Sequence, residues 1–151
     1  MTSIRQLAFL CAIAAALPGC AHRQLEHASL SLFSFPGIGE PLREEPAGAA
    51  IPYRPGTSCY GWRLTFDPVD AQVTLNELLL LPEPAQSWGG SGRSVIADDL
   101  MSSSTQWIVS GQRGKAEKSW CVLQGDPVGT YKFVVSDKDG ELGRVDFRLV
   151  P

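Results

Sequence analysis

The chain has 151 residues, with 13 Lys and Arg against 16 Asp and Glu, a formal charge of −3 at pH 7. That length holds one domain with a single core. The acidic balance excludes the basic face that a polyanion needs, so no nucleic-acid partner is expected. Taken in order, the chain starts with one cation, Arg5, and an apolar run from Leu7 to Leu17. Such a run is too short to stay in a bilayer as a permanent helix and has the length of a secretory h-region.

The run ends in Leu17-Pro18-Gly19-Cys20. This resembles the lipobox of bacterial lipoproteins. The resemblance implies a signal peptide over residues 1–19, a diacylglyceryl group on the Cys20 sulfur, and acylation of the new amine. An ordinary signal peptide with a cysteine near its cleavage site is the alternative. Ala21, and not Asp, follows the cysteine. By the same resemblance that implies the periplasmic face of the outer membrane, with the membrane as partner through the anchor. Cleavage removes one of the 13 basic residues (Arg5) and none of the 16 acidic ones, leaving a formal charge of −4.

Residues 20–56 read as a lipidated tether and linker, and 57–151 as a β-sandwich domain. Leu30 to Phe35 is either a first strand or a sticky piece of the tether. Residues 36–56 are rich in Pro and Gly, which predicts an extended connection free of regular structure. Strands are expected at Tyr60–Phe66, Gln72–Leu81, Ser94–Ala97, Thr105–Ser110 and Lys118–Leu123. The four leucines Leu78–Leu81 predict burial on both faces, or an apolar strip covered by the tether. The last third predicts two more strands. Tyr131, Phe133 and Val135 alternate on one face, as do Val145, Phe147 and Leu149. Asp137-Lys138-Asp139-Gly140 between them is a hairpin turn. The count is seven strands, or eight with Leu30–Phe35, in an all-β antiparallel sandwich.

Gly125-Asp126-Pro127-Val128-Gly129-Thr130-Tyr131 resembles the tyrosine corner of immunoglobulin-like sandwiches. Phe133 stands where the antibody pattern has its second Cys. Of the four cysteines, Cys11 leaves with the signal and Cys20 takes the lipid. Cys59 and Cys121 remain, an even pair in an oxidising compartment, so a disulfide is the leading expectation and two separate buried thiols the alternative. Cys59 has the opposite parity to Trp62, Leu64 and Phe66, which places the bridge at the rim or outer face. Gly61-Trp62, Leu81-Pro82 through Trp88, Ser119-Trp120 and Gly125 through Tyr131 together are similar to envelope lipoproteins with one immunoglobulin-like domain. That resemblance implies a fold and an address, and no activity.

His22 and His27 are the only histidines, and both fall in the expected tether, so neither an imidazole triad nor a zinc cluster is expected in the folded part. No cofactor or metal is expected. Trp88, beside Gly89 and Gly90, is the candidate binding loop, either stacking on a ligand or plugging one end of the sandwich. The leading functional expectation is a non-enzymatic binding or assembly module that docks on an envelope protein. A small hydrolytic or carbohydrate-active enzyme using Asp98, Asp99 or Glu77 is one alternative, and would need those carboxylates in one pocket. An inhibitor of a periplasmic or host enzyme is the other.

Overall fold

A computed structural model describes residues 25–35, 37, 39–89 and 93–151; the signal region and Cys20 lie outside them. Ten strands form: β1 Ser29–Phe35, β2 Arg43–Glu45, β3 Ala50–Pro52, β4 Cys59–Thr65, β5 Gln72–Leu80, β6 Ser94–Ile96, β7 Ser102–Ser110, β8 Lys115–Cys121, β9 Gly129–Asp137 and β10 Gly140–Val150. They make two sheets, ordered β2-β1-β4-β8 and β3-β10-β9-β5-β7-β6. All pairings are antiparallel except that of β3 with β10. The expected all-β, immunoglobulin-like sandwich is the fold.

Two strands more are present than the eight expected with Leu30–Phe35 counted. Both come from the stretch read as an extended connection. β2 pairs with β1 through Leu32–Glu45 to Ser34–Arg43, and β3 runs beside the end of β10. Each needs only three residues on a sheet edge, where Pro is tolerated because one side of the strand makes no ladder. The open question at Leu30–Phe35 is also answered: β1 lies between β2 and β4, in register from Ser29–Thr65 to Phe35–Cys59. Leu25, upstream of β1, is fully buried in the core. The leucine run behaves simply: Leu79 and Leu81 are buried, while Leu78 and Leu80 turn outward and stay half-buried.

Side-chain alternation fills the space between the sheets. Tyr60, Trp62 and Leu64 from β4 face Tyr131, Phe133, Val135, Phe147 and Leu149 from β9 and β10. The Tyr60 and Phe147 rings lie 4.5 Å apart and Tyr131 stacks on Phe147 at 5.1 Å. Gly61 shows why a glycine precedes Trp62: a Cβ there would lie 2.1 Å from the Lys118 carbonyl and 2.6 Å from the Phe33 ring. The last hairpin turns through Lys138 and Asp139, with Gly140 at φ 125° and the Asp139 N–H donating to Asp137 Oδ1 at 2.8 Å.

The tyrosine corner is present. Tyr131 donates its hydroxyl to the Pro127 carbonyl at 2.7 Å, four residues upstream, and burial pushes its pKa well up. Tyr131→Phe should therefore lower stability by about 1 kcal/mol, the net worth of one such hydrogen bond. Urea unfolding would measure it; no change in midpoint would mean that the corner adds nothing to this fold.

Candidate functional site

The strands bring several loops to one end of the sandwich: residues 81–89 after β5, 97–101 after β6, and 122–128 before β9. Backbone hydrogen bonds lace them together. Leu81 N–H donates to the Met101 carbonyl at 2.9 Å, Ala85 N–H to Leu100 at 3.1 Å, and Gln86 N–H to Gly125 at 3.3 Å. Trp88 Nε1 also donates to the Leu100 carbonyl, at 3.1 Å. The Trp88 ring meets Trp120 edge-on at 6.2 Å and is partly buried against the core. The ring closes over Trp120 at this end of the sandwich and keeps part of its surface exposed.

Leu100 is the residue that sequence reasoning missed. Its carbonyl holds two donors of the Trp88 loop, its side chain is 41% exposed, and its φ is +59°. A non-glycine residue in that region costs on the order of 1 kcal/mol, and Asn, Asp or Gly is the usual occupant. Asp99 helps to hold the turn, since its Oδ1 accepts the Met101 N–H at 2.9 Å. Val128, in the neighbouring loop, is 49% exposed. Trp88, Leu100 and Val128 thus give this end of the molecule an apolar tip. Asp126 lies beneath it, where its Oδ2 accepts the Leu123 N–H at 2.8 Å. Burial raises its pKa, and that hydrogen bond opposes the rise.

Below the tip lies a buried polar cluster. Glu77 follows Val73 and Leu75 on the inward face of β5, and its side chain has no exposure. It accepts Trp62 Nε1, Lys118 Nζ at 3.0 Å and Trp120 Nε1 at 3.2 Å. The Lys118 ammonium also sits 4.4 Å from the Trp107 ring centre and 4.3 Å from that of Trp120, a double cation–π contact. Its second polar partner is Thr105 Oγ1 at 3.3 Å. Glu77 is therefore not a loop carboxylate. Asp98 and Asp99 are exposed in the turn after β6, and the three are not brought together.

Cys59 and Cys121 are bonded, with S–S 2.03 Å. They sit directly opposite each other on β4 and β8, in one sheet, at the same end as the tip. The bridge joins neighbouring strands, where the antibody bridge joins two sheets. At the opposite end, His27 Nδ1 and Asp67 Oδ2 lie 2.8 Å apart, and both side chains are exposed. Asp67 raises the His27 pKa, chiefly through that hydrogen bond. The pairing therefore holds while His27 is protonated and fades as pH rises through the raised value. Glu26, His27 and Asp67 place ligand atoms within 4.8 Å of one another, the one grouping among the described residues that could hold a metal ion.

Residues 41–150 match the model of the PM0630 beta sandwich domain family. The chain belongs to that family. A crystal structure of an immunoglobulin-like protein from Pseudomonas aeruginosa is similar, with a TM-score of 0.52 and 12% identity. The match covers 85% of this chain and 100% of that one. At that identity the likeness shows the fold alone. No curated protein matches the chain. The family's matched range takes in β2 and β3, so the Pro- and Gly-rich stretch is part of the family's domain.

Proposed function

We propose that the protein is a non-enzymatic binding module of the cell envelope, lipid-anchored through Cys20 and docking on an envelope protein through the tip made by Trp88, Leu100 and Val128. The observation that carries this reading is the burial of Leu25. It lies five residues after Cys20, so an anchor there holds the sandwich within about 17 Å of the bilayer, at about 3.5 Å per residue. The Glu26 carbonyl accepts the Asp67 N–H of the β4–β5 turn, so an anchor at Cys20 would put that end nearest the membrane. The tip is at the other end of the strands and points away from the bilayer. The strained, exposed Leu100 supports it as the contact residue, because backbone strain of this kind persists where function favours it.

The test separates binding from folding. Leu100→Gly relieves the left-handed φ, so its unfolding midpoint should hold or rise. Capture of an envelope protein from gently solubilised membranes by the full-length lipidated chain should fall sharply. Equal capture would remove the tip from the reading. Cys20→Ser should release the protein from the membrane fraction; retention there would remove the anchor.

A further inference from the structure

β7 has β5 along its whole length on one side, but on the other β6 covers only Ser103 to Thr105. From Gln106 to Ser110 its backbone edge has no strand partner among the described residues. Exposed edges of this kind are normally blunted by charge. The open edge of β8 carries Lys115, Glu117 and Lys118, and that of β10 carries Glu141 and Arg144. β7 carries no charged residue from Ser102 to Ser110. Ile108, in the middle of the bare stretch, is 66% exposed. Beside it the two sheets stand open as a cleft of about 510 Å³, lined by Trp107 to Ser110 and, beyond the strand and across the cleft, by Arg113, Lys115, Ala116 and Glu117.

We propose that this edge is a self-association surface: the β7 strands of two copies pair antiparallel about a twofold axis at Ile108. The register matches chemistry on both faces. On the outer face Ile108 meets its own copy and Gln106 meets Ser110. On the inner face Trp107 meets Val109. No charge opposes another. Lengths match too, because the bare stretch of one copy is the stretch the other supplies. Beyond Ser110 the chain leaves the sheet in the 3-10 turn Gly111–Arg113, so each copy's chain departs where the other's β6 begins. The pairing joins two six-stranded sheets into one and covers Ile108, and a closed twofold contact of this kind stops at the dimer.

Ile108→Cys in the full-length chain, in native membranes and treated with a short bis-maleimide, should give a cross-linked homodimer as the main product. Gln106→Cys and Ser110→Cys should give it only when the two variants are mixed. Thr130→Cys, exposed on β9 two strands away from β7, serves as the collision control. Ile108→Lys should abolish the dimer seen by native mass spectrometry while the unfolding midpoint stays in place. Cross-linking of Ile108→Cys no stronger than that of the Thr130 control overturns the proposal. So does its capture of a different protein in place of a second copy, which would assign the edge to a foreign strand.

Discussion

Lys118→Met should cost the fold about 3–5 kcal/mol, although it exchanges a charge for an apolar side chain of similar reach. The loss comes from what stays behind. Glu77 has no exposure, and without Lys118 its carboxylate keeps only the two indole donors, Trp62 and Trp120. A buried charge whose partner has been removed is destabilising by that amount, whereas replacing both partners by apolar residues is often neutral. Glu77→Leu combined with Lys118→Met should therefore recover most of the loss. Guanidinium unfolding of the two single variants and the double one closes the cycle. With total stabilities of about 5–15 kcal/mol, the single change removes a large share of the margin. A loss under about 1 kcal/mol for Lys118→Met would show that the carboxylate is reached by water or is not charged. The damage should also spread to the tip, because Trp120 links Glu77 to Trp88.

The last third of the chain was legible because its signals are local. Period-2 alternation at Tyr131–Val135 and Val145–Leu149, a Gly at the end of the hairpin turn, and a Pro and Tyr at the corner each fix their own surroundings. Cysteine parity was equally direct: one alternation count placed Cys59 off the core face, and the bridge is there. β2 and β3 were illegible for the opposite reason. Three residues between prolines have no periodicity, and they become strands only because the edges of β1 and β10 offer partners far along the chain. Glu77 lies between these cases. Its parity with Val73, Leu75 and Leu79 was visible, and so was that of Lys118 with Ala116 and Trp120. That the two meet depends on how the sheets stack, which no single strand encodes. Leu100 carried no signal at all, since its φ is set by the Asp99 turn and by the Trp88 loop bonded to its carbonyl.

On the proposed lipid anchor, short coupling to the membrane would change how a docking tip works. A long flexible spacer would let the module search a wide volume. With Leu25 in the core, the proposed anchor at Cys20 would keep the tip within a narrow range of heights, roughly one strand length beyond the anchored end. A partner must then present its own site at that height, so geometry adds to the selectivity of three apolar side chains.

Loss of the Cys59–Cys121 bridge, by reduction or by replacing both residues with Ser, should cost about 4 kcal/mol. That is the chain-entropy figure for a closed loop with the observed separation of 62 residues. The loss should be uneven across the molecule. β8 is an edge strand with β4 as its one sheet neighbour, and the bridge ties down its last residue. Without it, Ser119 to Cys121 should open first, and hydrogen exchange should show protection falling there before it falls in β5 or β9. Trp120 lies in that segment and supports Trp88, so the tip should loosen with it, and capture of a partner should weaken while the remaining core still unfolds cooperatively. Intact mass before and after alkylation supplies the control, one bridge and no free thiol at these positions in the native protein. Uniform loss of protection across both sheets would mean that the bridge stabilises the whole fold without any special hold on β8.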